Sequence, residues 1–235
     1  MKPAAKKPGG SHPRVNSSNI GLWLIACSIA IVAAVVGLIV FNENRARSAP
    51  VAQPSVPAEW INRNVVGNPD APIVITMWED FLCPSCQSFN ATVKPQLFET
   101  YVETGKVRVV YRYFPLSGHE PGATMAALAA ECAADQGMFW PYHDRVYQMA
   151  RVDQQGAVQF DDLVGYASNL GMDEGSFRTC LSTQQHGDTV SSSLAEAEQI
   201  QLQGTPSIIV GDTLLPDYSF PTLQAEIERQ LAQAS

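Results

Sequence analysis

Residues Ile20 to Phe41 form an unbroken run that is mostly apolar and carries no charge. As a helix, its 22 residues would measure about 33 Å, against a bilayer hydrocarbon core of about 30 Å, so the run predicts one transmembrane helix. Residues 1–19 are rich in Lys, Pro, Gly, Ser and Asn and predict a disordered tail. Pro50, Pro54 and Pro57 among small residues predict a linker over 42–58, and a folded domain is expected over 59–235. Within it, the turn signal Gly67-Asn68-Pro69-Asp70 leads into an apolar run, Ile73 to Trp78, that reads as a strand. Phe89, Val93, Leu97 and Tyr101 then recur at helical spacing and place one stripe against a core. After the stop signal Thr104-Gly105-Lys106, alternation around Val109, Tyr111 and Tyr113 predicts a second strand.

The region 115–203 reads mostly as helix. Pro121 opens an alanine-rich stretch ending at Gly137, Phe139 to Ala150 follows, and Thr189 to Leu202 is a further helical stretch. Asp161 and Asp173 are expected to cap two shorter helices between them. Gly204-Thr205-Pro206 precedes a strand from Ser207 to Val210, a Gly211-Asp212 turn and a short strand from Thr213 to Leu215. Leu223, Ile227 and Leu231 mark a last helix, and no internal repeat is seen.

Composition supports this division. With 46% hydrophobic and 16% charged residues, the chain can bury one sizeable core plus appendages. Lys2, Lys6, Lys7 and Arg14 precede residue 41 with no acid among them, whereas the 11 other basic residues face all 23 acidic ones, a formal −12. So acidic a domain argues against a general affinity for nucleic acid. The basic N-terminal flank outweighs Arg45 and Arg47 with Glu43, which places the N-terminus in the cytoplasm and the domain outside. The apolar run exceeds a usual signal-peptide core, favouring an uncleaved anchor, although Ala46-Arg47-Ser48 leaves cleavage open.

The chemistry of the domain centres on Cys83-Pro84-Ser85-Cys86, at the junction of a strand and a helix. A thiol at a helix start faces unpaired backbone N–H groups and the positive end of the helix dipole, which lowers its pKa. Pro84 suits the first helical position. Cys83 is therefore read as the exposed attacking sulfur and Cys86 as the resolving one. A structural zinc site would need two further ligands, and no second Cys-X-X-Cys exists. A bridge across two residues would constrain little chain.

The order of strand, Cys-X-X-Cys helix, strand, helical insertion, Thr-Pro, hairpin and final helix resembles the thioredoxin fold of the DsbA-like thiol:disulfide oxidoreductases. The pieces that carry the likeness are Gly67 to Pro72, Asp80 to Cys86, Phe114-Pro115-Leu116 with His119, Phe139-Trp140 with His143-Asp144, and Gly204-Thr205-Pro206. The resemblance implies an α/β domain with a helical insertion at 115–203, in which Thr205-Pro206 is a cis-proline loop that meets the active-site pair and offers backbone to a substrate segment. It also implies clients that are exported proteins with free thiols, and a membrane partner of the DsbB or vitamin K epoxide reductase type that reoxidises the pair. No soluble cofactor is required, and a monomer is expected. Two departures stand out. Many relatives hold a buried acid six residues before the first cysteine, where this chain has Met77, leaving Glu79 or water to serve. Pro-Ser replaces the Pro-His of strongly oxidising members, which implies a less acidic Cys83 and a milder oxidant.

Cys27 lies in the apolar run and reads as a small apolar residue. With Cys83 and Cys86 assigned to each other, Cys132 and Cys180 remain and are expected to form a structural disulfide, the alternative being two buried free thiols. His119, His143 and His186 show no metal-ligand spacing, so no metal is assigned to them and capping or surface roles are expected. Phe139, Trp140, Tyr142 and Tyr147 read as core, and Phe81 and Leu82 as an apolar surface for unfolded clients. The expected activity is the introduction of disulfides into exported proteins. The alternatives are a reductase or isomerase using the same pair, a copper carrier, or a client-holding module.

Overall fold

The computed structural model describes residues 17–48 and 50–234 and divides into two units, 1–45 and 46–235. In the first, helix α1 (Ser17–Ser48) contains the stretch Trp23–Phe41, long and apolar enough to cross a membrane by length and composition. Most of the expected disordered tail, residues 1–16, lies outside the described residues. The expected linker divides: α1 continues to Ser48, while Gln53 donates to the carbonyl of Gly137 at 2.8 Å and Val56 packs on the domain core. Its second half therefore lies on the domain surface.

The second unit is built on a six-stranded sheet in the order β1-β2-β4-β3-β5-β6. The strands are β1 (Ile61–Asn62), β2 (Val65–Val66), β3 (Ile73–Glu79), β4 (Val107–Tyr113), β5 (Ser207–Val210) and β6 (Thr213–Leu214). Only β3 and β4 pair in parallel, with Met77 opposite Tyr111 and Glu79 opposite Tyr113. A parallel pair needs a crossover, which the cysteine-bearing helical segment supplies. Gly67 adopts φ +115 where a Cβ would lie 2.4 Å from the carbonyl oxygen of Val107, so this turn accepts only glycine.

The stripe Phe89, Val93, Leu97 and Tyr101 is buried as its spacing predicts, but the helix carrying it is interrupted. It comprises α2 (Pro84–Thr92), the short α3 (Lys94–Leu97) and a π-helical stretch, Phe98–Val102. Pro95 has no N–H to give the carbonyl of Ala91, which accounts for the break.

Between β4 and β5 lie α4 (Gly122–Asp135), α5 (Phe139–Asp153), α6 (Phe160–Asn169), α7 (Glu174–Ser182) and α8 (Gly187–Gln199); α9 (Phe220–Ala234) closes the chain. Buried alanines at 126, 127, 129, 130, 133 and 134 make α4 narrow enough to sit at the centre of this insertion. Asp173 caps α7 as expected, accepting from the N–H of Ser176 at 2.7 Å. Asp161 does not cap α6. Gln159 occupies that position, and Asp161 instead pairs with Arg178 at 3.0 Å. Cys132 on α4 and Cys180 on α7 are joined as a disulfide with Cα atoms 5.9 Å apart. Phe139, Trp140, Tyr142 and Tyr147 are buried on α5.

Candidate active site

Strand alternation sets up the site. Ile73, Ile75, Met77 and Glu79 share one face of β3, so the apolar row that builds the core ends on a carboxyl. The chain then turns through Asp80, Phe81 and Leu82 into α2. Asp80 fixes this turn: its Oδ1 accepts from the N–H of Leu82 at 2.7 Å, and its Oδ2 pairs with Nδ1 of His119 at 2.7 Å and accepts from the N–H of Leu116 at 2.9 Å. His119 thus has a positioning contact beside the active loop. Phe81 and Leu82 are both buried, correcting the expectation of a client-facing surface. Phe81 points inward because its ring packs on Tyr111, His143 and Tyr147.

Cys83 occupies the N-cap of α2, Pro84 enters the first turn, and Cys86 lies one turn inside. Both are free thiols in the structure. Contrary to the expected exposure, Cys83 is only 6% accessible, because the cis Thr205–Pro206 loop covers it. Its Sγ lies 3.4 Å from the carbonyl oxygen of Thr205. The Cys83 thiol is lowered to about 5, first by hydrogen bonding from Cys86, then by the Thr205 hydroxyl and the N–H groups of Cys86 and Ser85, all against the cost of burial. The value lies well below that of an ordinary thiol although the dipeptide carries no imidazole. Donors from one helix turn and the Thr205 loop take over that role. Cys86 moves the opposite way: burial pushes it well above the ordinary thiol value, reinforced by Cys83 and the charge of Glu79. At neutral pH the pair therefore holds one thiolate and one thiol.

Glu79 is 1% exposed, and burial raises its carboxyl to about 8 despite hydrogen bonds from Tyr147 and Asn90. Tyr147 donates to Oε2 at 3.0 Å, and Asn90 donates to Oε2 at 2.5 Å and to the carbonyl of Cys86 at 3.0 Å. Oε1 is buried without a hydrogen-bond partner among the described residues. Asn90 therefore ties the acid to the turn of α2 that carries Cys86. Tyr111 extends the network to the Tyr147 hydroxyl at 3.1 Å. The family resemblance offers Glu79, beside water, in place of the acid missing at Met77; Asn90 and Tyr147 carry no comparable signal.

His143 is fully buried, which corrects its expected capping or surface role. Its ring lies among Phe81, Tyr111, Phe139, Trp140 and Tyr147, and its Nδ1 donates to Asp144 at 2.7 Å. Burial and the nearby Lys94 lower it to about 4, so it is neutral at pH 7. Lys94, itself buried, pairs with Asp144; burial would raise that carboxyl, but the Lys94 charge and the hydrogen bonds from His143 and Lys94 together keep it low. His186 sits at the N-terminal boundary of α8 without a side-chain capping bond, and its Nε2 contacts Asp135 at 2.7 Å. Beside the active pair, Gly204, Thr205, Pro206, Leu214, Leu215 and Tyr218 line an open groove of about 360 Å³.

A family model described as Thioredoxin matches residues 60–229. A probable disulfide bond formation protein D of Bacillus cereus is 30% identical over 169 residues, 71% of this chain and 77% of that protein. Oxidised BdbD from Bacillus subtilis superposes with a TM-score of 0.67 at 23% identity, over 78% of this chain and 98% of that one. Chlamydia trachomatis DsbA gives 0.64 at 21%, over 79% and 98%. With a thiolate held at a helix start, a buried partner thiol and these relatives, the chain belongs to the thioredoxin family as a DsbA-like protein thiol:disulfide oxidoreductase.

Proposed function

We propose that the protein introduces disulfides into exported proteins from a membrane tether, with α1 as the anchor, the N-terminus in the cytoplasm and the domain outside. The observation that carries the direction is the stabilised Cys83 thiolate beside the protonated Cys86. A pair whose reduced form is stabilised gives its disulfide away readily. The relatives' name, disulfide bond formation protein, agrees with this direction.

In the oxidised pair, a client thiolate attacks the sulfur of Cys83, the Cys83–Cys86 bond breaks, and Cys86 leaves as a thiolate. Glu79, protonated at pH 7, gives its proton to that sulfur and takes another from solvent, so the reduced pair has gained one proton. A second client thiolate then attacks the client sulfur of the mixed disulfide, releasing Cys83 as a thiolate and an oxidised client. A membrane partner of the DsbB or vitamin K epoxide reductase type removes the two electrons, and the Cys86 proton is released to solvent. The groove beside Thr205-Pro206 offers extended clients a place to lie, and the protein works as a monomer.

Equilibration with glutathione tests the direction. A potential between about −120 and −180 mV supports donation, whereas one near about −270 mV means the pair reduces its targets. Above pH 5, reduction takes up one proton for two electrons, so the potential should fall by about 30 mV per pH unit. Below pH 5, where Cys83 also takes a proton, the slope should double. A doubled slope at neutral pH would show that Cys83 is not a thiolate.

Glu79→Gln keeps the shape of the carboxyl and removes its proton. Formation of the mixed disulfide should slow at least about tenfold at pH 7, while the Cys83 thiolate titration stays within the active range. In the wild type the same step should slow as pH rises through about 8, where Glu79 loses its proton. An unchanged rate and pH profile in stopped-flow measurements would remove Glu79 from the mechanism.

A further inference from the structure

The disulfide of the insertion is surrounded by groups that a merely structural bridge does not need. Asp135 follows Cys132 by one turn on α4, and His186 reaches it from the start of α8. Oδ2 of Asp135 lies 2.7 Å from Nε2 of His186 and 3.8 Å from Sγ of Cys180. The ligand atoms of Asp135, Cys180 and His186 all fall within 4.8 Å of one another, and Cys132 Sγ is bonded to Cys180 Sγ. We propose that, when this disulfide is open, Cys132, Cys180, His186 and Asp135 form a zinc site.

The donor set fits the ion. Two sulfurs, one imidazole nitrogen and one carboxylate oxygen satisfy a tetrahedral Zn²⁺, which favours soft and borderline ligands. Bonds of about 2.0–2.3 Å place tetrahedral donors about 3.3–3.8 Å apart, so Asp135, Cys180 and His186 need shifts of about 1 Å, and Cys132 Sγ has to swing away from Cys180 to complete the set. Arg63 donates to Oδ1 of Asp135 at 2.7 Å and to Oε2 of Glu131 at 2.5 Å. It therefore holds the carboxylate from behind and balances the negative charge that two thiolates and a carboxylate leave on the ion. Partial exposure of His186 and Asp135 provides an entrance, while both cysteines are covered.

The chemistry balances. An external dithiol gives two electrons and two protons to the Cys132–Cys180 bond and becomes a disulfide itself. Zn²⁺ then displaces the two thiol protons. The imidazole proton that faces Asp135 shifts to Nδ1, freeing Nε2 to bind. A chain whose cysteines have not yet been joined reaches the same form without a reductant. The metal-bound form would keep these two thiols from pairing with Cys83 or Cys86, and it does not depend on the redox direction of the active pair.

The test uses the full chain in detergent with Cys83→Ser and Cys86→Ser, reduced by a phosphine and titrated with Co²⁺ as the probe. One equivalent should produce a thiolate-to-cobalt charge-transfer band with tetrahedral visible bands, displaced by Zn²⁺ and absent from the disulfide form. His186→Ala should weaken binding at least tenfold, and Asp135→Asn should weaken it measurably. Absence of the band, or a band unaffected by His186→Ala, overturns the site. If reduction unfolds the domain, Zn²⁺ must restore its circular dichroism; a reduced chain that stays unfolded with Zn²⁺ overturns it equally.

Discussion

Cys83→Ser should reduce disulfide transfer to the uncatalysed rate. A hydroxyl neither ionises near neutral pH nor forms the mixed disulfide, so the variant loses both the leaving group and the bond that clients attack. Cys86→Ser should behave differently. It retains the Cys83 thiolate, captures oxidised or activated clients as mixed disulfides, and lacks the sulfur that would release them. The largest single contribution to the low Cys83 value is the hydrogen bond from Cys86. Cys86→Ala should therefore raise Cys83 from about 5 toward the ordinary thiol range near about 8.5, read from the ultraviolet absorbance of the thiolate. Client oxidation by Cys83→Ser at the wild-type rate would move the chemistry elsewhere in the chain. A Cys86→Ala thiol still ionising near 5 would instead assign the shift to the helix start and Thr205.

Removing the second disulfide should have the largest effect on stability. Cys132 and Cys180 are 48 residues apart, and closing that loop contributes about 4 kcal/mol in the chain-entropy account. For a domain of this size each kcal/mol moves the melting temperature by about 2–4 °C, so Cys132→Ala with Cys180→Ala should lower it by roughly 8–16 °C. Replacing both residues avoids leaving a lone thiol. Thermal unfolding under non-reducing conditions provides the measurement, and a drop below 3 °C would show that the packing of α4 on α7 suffices alone. The reduction potential of Cys83/Cys86 should remain unchanged, since the second disulfide lies in the helical insertion and touches neither sulfur.

The parts of this protein legible in its sequence are those that local rules determine. An apolar run of sufficient length, an N-cap cysteine followed by proline, and a stripe at helical spacing each depend on residues within a few turns of one another. Glu79 entered only through the family resemblance, as a stand-in for the acid missing at Met77, and the structure placed it on the core face of β3. The remaining two cysteines could be paired because few combinations were left. Long-range packing decided the rest. Thr205 covers Cys83 from 122 positions away, and Tyr147 reaches Glu79 across 68. Burial beneath such distant segments made Glu79 a proton donor against the hydrogen bond from Tyr147, whereas the low Cys83 value comes first from Cys86, one turn away. Distant segments also turned Phe81 and His143 into core residues, although both could equally have faced solvent by local pattern. Periodicity states which face of an element is buried, but a pKa depends on what meets that face. That is a matter of desolvation and hydrogen bonding between distant segments, which only the folded chain brings together.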